Sequence, residues 1–165
     1  MTRPNKGDEF EMTVESLAFG GKGVAHLEDY AVFVRGAIAN QKVMARITKL
    51  RQGYAEARIL EILRESPQSI DARCRHFPSC GGCSFQHLDY DAQIEQKKQQ
   101  VLDLFRRIGQ IDNPVLEKVV PSEEQYHYRN KMEFSFSNRR WILEDEEEGV
   151  EADFALGLHI PGRYD

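Results

Sequence analysis

All three cysteines of this 165-residue chain, Cys74, Cys80 and Cys83, fall in one ten-residue run with five and then two residues between them. Gly81 and Gly82 let the backbone turn tightly between the last two thiols, the local geometry by which several sulfurs converge on one ion or cluster. An iron–sulfur cube takes four thiolates, and a structural zinc takes four nitrogen or sulfur ligands. The trio is therefore one ligand short. His76 or His87 could complete a Cys3His zinc set, His87 lying four residues past Cys83. An odd number of closely spaced cysteines fits a reducing compartment and a metal role better than a disulfide framework. Thiolates committed to a metal are not free to attack carbon, so none of the three is expected as a nucleophile.

Composition sets the rest of the frame. At 41% hydrophobic and 30% charged residues, the chain reads as globular, with enough length for one good core or two small ones. No apolar run approaches the roughly 18 residues of a membrane span, and the start of the chain lacks the apolar centre of a signal peptide. A cytoplasmic location is expected. The net charge of −5 is uneven: residues 1–64 carry 10 basic and 8 acidic side chains, 65–140 carry 11 and 11, and 141–165 carry 1 and 8. The acidity gathers at Glu144-Asp145-Glu146-Glu147-Glu148, expected as a solvated loop. What remains is near neutral, so overall charge does not decide between partners.

Along the chain the apolar period changes twice. Phe10, Met12 and Val14 alternate with polar residues, and Val32–Val34, Val43–Ile47 and Tyr54–Leu63 follow as further short segments. About five short strands with no helix between them predict a small OB-like barrel over residues 1–66. Gly20-Gly21-Lys22-Gly23 lacks the Ser or Thr that a phosphate-binding loop needs after Gly-Lys, and is expected as a barrel bend. From Tyr90 to Ile108 the apolar residues recur at three and four, with Asp89 placed to cap a helix and Gly109 to end it. Its apolar stripe is expected beside the cysteine loop, within a 67–109 unit. Beyond Pro114, Met132, Phe134 and Phe136 alternate again, as do Phe154, Leu156 and Leu158, predicting an antiparallel pair in a third unit, 110–165. The fold class is α+β.

Taken in order, these segments resemble one family. Gly21-Lys22-Gly23-Val24-Ala25, Val32-Phe33-Val34 and Tyr54-Ala55-Glu56-Ala57 look like a TRAM domain, an RNA-binding barrel. The cysteine run with Gln86-His87, the helix with Gln93 and Lys97, and Tyr128-Arg129-Asn130-Lys131 are similar to the folate-independent uridine-5-methyltransferases of ribosomal and transfer RNA. Ala39-Asn40 stands where a proline-glycine turn is common in such barrels.

The resemblance implies a [4Fe-4S] cluster held by Cys74, Cys80 and Cys83, with a fourth cysteine outside this chain. It also implies an S-adenosylmethionine domain of which no glycine-rich strand–turn–helix appears here. The chain is thus expected to be the front portion of such an enzyme, its central sheet incomplete and the catalytic domain absent. It would bind RNA, ribosomal in preference to transfer, and not DNA or membrane, and catalyse nothing by itself. In the complete enzyme a cysteine would attack C6 of a flipped-out uracil and C5 would take the methyl group. No catalytic residue is assigned in this chain. Candidate RNA contacts are Lys22, Lys49 and Arg51 on the barrel, and Tyr128, Arg129, Asn130 and Lys131, where cations meet phosphates and rings offer stacking faces. The competing reading is a stand-alone RNA-binding adaptor with a zinc knuckle and no activity.

Overall fold

The computed structural model describes residues 4–143, 146 and 153–160. The chain divides into two compact units, residues 1–71 with 87–121, and residues 72–86 with 122–165. Most of the acidic run of 144–148 and the end of the chain from 161 lie outside the described residues.

The first unit is built on a six-stranded sheet where about five strands were expected. β1 (Glu9–Thr13), β2 (Ser16–Leu17), β3 (Lys22–Leu27), β4 (Tyr30–Arg35), β5 (Lys42–Leu50) and β6 (Tyr54–Arg64) are ordered β1-β5-β6-β4-β3-β2. β4 and β6 pair parallel, with Ala31 opposite Tyr54 and Arg35 opposite Arg58. The other pairings are antiparallel. β1 and β2 stand at opposite ends of this order, yet only Val14 and Glu15 separate them in the chain. The sheet must therefore curl. The Val14 N–H donates to Gln41 O at 2.9 Å and the Glu15 N–H to Val24 O at 2.8 Å, so the two residues reach towards different strands.

Period-2 alternation fixes what this sheet encloses. Val32 and Val34, Val43, Ala45 and Ile47, and Ala55 and Ala57 point inward, joining Met12, Val14, Ala25 and Ala37 in one buried cluster. Burying a Val or Ile side chain contributes about 1.5–3 kcal/mol, so the cluster dominates the stability of this unit. β3 was not foreseen as a full strand because glycine interrupts it. A Cβ on Gly23 would stand 2.7 Å from Val14 Cγ1 and 3.0 Å from the Ala37 carbonyl oxygen, so only glycine fits between them. At Ala39-Asn40 the chain turns through Asn40 at φ 69°, a left-handed conformation that asparagine tolerates in place of glycine. The buried Gln41 supports the same turn, its Oε1 accepting the Ile38 N–H at 2.9 Å and its Nε2 donating to Glu65 at 2.9 Å.

The helix α1 (Tyr90–Arg107) belongs to this first unit. Asp89 caps it by accepting from the N–H groups of Asp91 and Ala92, and Arg106 and Arg107 lie in its last turn, where the helix dipole favours cations. Within its own unit it is tied to the sheet edge: Gln96 Oε1 accepts the Leu17 N–H at 3.0 Å and Gln100 Nε2 donates to Leu17 O at 2.8 Å. Ala92 is its buried residue, whereas Leu104, Phe105 and Ile108 are exposed.

In the second unit the expected antiparallel pair is present but short. β7 (Ser135–Ser137) pairs with β8 (Ala155–Gly157), Phe136 standing opposite Leu156. Met132 and Phe134, read as part of the same strand, lie before it. Leu143 is buried, and Glu146 accepts its N–H at 2.9 Å.

Candidate functional site

The cysteine loop, residues 72–86, folds on itself through short-range bonds. The Phe77 N–H donates to Cys74 O at 3.0 Å and the Cys80 N–H to His76 O at 2.8 Å, forming successive turns. Two sulfurs then receive donors: the Gly82 N–H reaches Cys80 Sγ at 3.3 Å and Gln86 Nε2 reaches Cys83 Sγ at 3.1 Å. Gln86 Oε1 also accepts the Cys74 N–H at 3.0 Å. Within the same unit the Gly81 N–H donates to His159 O at 3.2 Å. A Cβ on Gly82 would stand 2.8 Å from Leu158 Cδ1, the movable end of that side chain, so Leu158 packs closely over this glycine.

Cys74 and Cys80 are half-buried, Cys83 is exposed, and all three are free thiols. Sulfur donors that themselves accept N–H bonds suit a soft metal or an iron–sulfur cluster. The side chains are not drawn together in this structure: among the described residues, no three Cys, His, Asp or Glu side chains form a group able to hold a metal ion. His76 Nδ1 is 3.9 Å from Cys74 Sγ. His87, the other nitrogen considered for a zinc set, lies in the first unit, where its Nε2 meets Gly36 O at 3.1 Å and burial pushes its pKa down.

Beside the loop, the second unit holds an open groove of about 1090 Å³ lined by His76, Cys80, Phe136, Trp141, Phe154 and Leu158 among others. Trp141 is held within it. Its Nε1 donates to Leu158 O at 3.0 Å and its ring meets His76 edge-on at 5.6 Å. The neighbouring Arg140 grips both carboxylate oxygens of Glu146, at 3.1 and 2.8 Å, and holds that carboxyl below the usual glutamate range.

The candidate RNA contacts fall into two groups. Lys22, Lys49 and Arg51 converge on Glu56: Lys22 Nζ bonds its carboxylate at 3.0 Å, Lys49 stands opposite it in the β5–β6 register, and Arg51 adds a favourable charge. Led by the Lys22 bond, these cations lower the Glu56 pKa. In the second unit Tyr128, Arg129, Asn130 and Lys131 are all exposed on an irregular segment. Arg129 reaches Met132 Sδ at 3.9 Å, and Lys131 pairs with Glu133 at 2.7 Å.

Arg35, Arg46 and Arg58 are outward strand residues, each placed directly after a buried one, Val34, Ala45 and Ala57.

Residues 3–60 match the TRAM domain family. Over 93% of its length the chain is 36% identical to a Porphyromonas gingivalis protein named as an uncharacterized RNA methyltransferase, covering 34% of that protein. It is 44% identical over 67% of its length to the 23S rRNA (uracil(1939)-C(5))-methyltransferase RlmD of Methylococcus capsulatus, covering 25% of it. The chain spans about a third of the length of the curated relatives it matches. Among solved structures it resembles the Pyrococcus abyssi tRNA (uracil-54, C5)-methyltransferase in complex with S-adenosyl-L-homocysteine, at 23% identity and a TM-score of 0.44, over 69% of this chain and 24% of that one.

Proposed function

From the premise that this chain carries a TRAM domain and is homologous over most of its length to proteins named as RNA methyltransferases, we propose that it is the RNA-binding amino-terminal part of an S-adenosylmethionine-dependent RNA uridine-5-methyltransferase. Ribosomal RNA is the favoured substrate. The observation that carries this reading is the continuity of the likeness: it runs through the sheet, the cysteine loop and the segment beyond, and one relative is named for uracil C5 of 23S rRNA. The exposed cations around Glu56 and the Tyr128–Lys131 segment support it chemically, because phosphate neutralisation supplies most sequence-independent RNA affinity.

Within the same proposal Cys74, Cys80 and Cys83 hold a [4Fe-4S] cluster with a thiolate from outside this sequence. The N–H donors at Cys80 and Cys83 support that assignment. When bound, the cluster would cross-link its loop. Binding would require the loop to draw its three sulfurs together.

The test is methyl transfer from S-adenosylmethionine to ribosomal RNA transcripts by the polypeptide read from the complete gene, with digestion to locate the label. Methyl groups on C5 of uridine are expected; label elsewhere, or none, would overturn the reading. Iron and sulfide content after anaerobic purification tests the cluster, and stoichiometric zinc without sulfide would refute it.

A further inference from the structure

We propose that Phe33 and Tyr54, on the outer face of the six-stranded sheet, are a stacking site for an unpaired base of single-stranded RNA, with the ammonium groups of Lys22 and Lys49 taking the adjoining phosphates. The proposal rests on the RNA-binding reading of the TRAM domain and gives that reading a residue-level contact.

β4 and β6 run side by side and parallel, with Ala31 opposite Tyr54 and Phe33 opposite Glu56. Val32 and Val34 on β4, and Ala55 and Ala57 on β6, belong to the buried core cluster. Alternate residues of a strand point to opposite sides, so Phe33, Tyr54 and Glu56 project outward together. There the two rings meet edge-on, their centroids 5.3 Å apart and their planes at 85°. Both side chains are half-buried and stand outside the core.

Two cations converge beside the rings. Lys22 on β3 bonds Glu56 on β6 at 3.0 Å, so its side chain crosses β4 and brings its ammonium group to the residue opposite Phe33. Lys49 on β5 stands opposite Glu56 from the other side and acts on its charge. One carboxylate thus meets two ammonium groups, which leaves positive charge next to an outward aromatic pair. A flat ligand on an anionic backbone fits this combination. Rings set edge-on do not stack on each other, which leaves ring face for a base, and every base has a π-face to offer. A small anion would use the lysines and leave the rings idle, whereas an apolar peptide would use the rings and bring nothing to the lysines.

The test is binding of a labelled, unstructured 12-nucleotide RNA to this chain at several salt concentrations, beside a polyphosphate of similar length that carries charge without bases. Phe33→Leu keeps an apolar outward residue and removes the stacking face. It should weaken RNA binding roughly tenfold while leaving the salt slope and polyphosphate binding at wild-type levels. Phe33→Tyr should bind RNA as wild type does. K22Q/K49Q should instead lower the RNA salt slope by about 1.4, at about 0.7 for each neutralised phosphate. In the wild-type chain the ring-proton resonances of Phe33 and Tyr54 should move upfield as RNA is added, a readout that needs no variant and decides alone if Phe33→Leu does not fold. Wild-type RNA affinity in Phe33→Leu, or ring protons unmoved by RNA that binds, would overturn the stacking site while leaving the RNA-binding reading in place. An equal loss of RNA and polyphosphate binding in a folded Phe33→Leu would assign the ring to the fold and overturn the site as well. Ring shifts that follow protein concentration and not RNA would make the pair a face between two copies, with the same consequence. No RNA affinity in the wild-type chain would overturn both readings.

Discussion

Gln86 donates from its side-chain amide to the Cys83 sulfur at 3.1 Å while its carbonyl oxygen accepts the Cys74 N–H at 3.0 Å. One residue thus closes the cysteine loop across the first and third thiol positions. At about 0.5–1.5 kcal/mol net for each hydrogen bond, Gln86→Leu should cost the second unit roughly 1–3 kcal/mol. Gln86→Glu keeps the acceptor and loses only the donor. Amide exchange at Cys74 separates the two: it should quicken in the leucine variant and stay slow in the glutamate variant. Equal exchange in both would mean the loop is closed by other bonds.

Gly23 makes a comparable demand on the sheet. An added methyl would meet Val14 Cγ1 at 2.7 Å and the Ala37 carbonyl oxygen at 3.0 Å, one of them backbone that cannot easily yield. Overpacking of this kind costs about 1–3 kcal/mol, so Gly23→Ala should lower the denaturant midpoint of the first unit accordingly. Val14→Ala in the same chain should return part of the loss, giving a negative coupling energy in a double-mutant cycle. Strict additivity of the two changes would place the strain elsewhere.

Burial holds His87 below its ordinary value of 6.5, against the opposing pulls of the Gly36 carbonyl and Glu65. The folded chain therefore binds this proton more weakly than the unfolded chain. The contribution to stability is complete above about pH 6.5 and is lost as pH falls from there through the lowered folded value. His87→Gln removes the titration, so its stability should fall less than that of wild type between pH 7 and 5. Urea midpoints across that range are the check, and parallel curves would exclude His87 as a source of acid sensitivity.

The parts of this fold that announced themselves are those whose information is local. Asp89 before an apolar stripe marks a helix start wherever it occurs, and α1 begins at Tyr90. Val32–Val34 and Val43–Ile47 alternate strongly enough to be strands in any context. β3 was hidden because Gly23, required by Val14 across the sheet, weakens the very pattern that identifies a strand. The facing of Arg35 and Arg58 was hidden for a stronger reason. Arg35 and Arg58 are neighbours only because β4 pairs in parallel with β6, skipping β5 in chain order, and no local pattern encodes that crossover. The placement of α1 on β2 was equally non-local, since it depends on two polar glutamines that no apolar period singles out.

Those glutamines carry the last prediction. Gln96 and Gln100, one helical turn apart on α1, take both main-chain groups of Leu17, the N–H at 3.0 Å and the carbonyl at 2.8 Å. β2 is two residues long and stands at an end of the sheet order, so its free edge would otherwise face water or another strand. The helix side chains substitute for a missing strand. Q96A/Q100A should therefore cost about 1–3 kcal/mol through two lost bonds, and more locally than globally. Exchange at the Leu17 amide should accelerate well beyond that of Val34 in the centre of the sheet, where β4 is paired on both sides. If Leu17 and Val34 accelerated together, the glutamines would be supporting the whole sheet and not its edge.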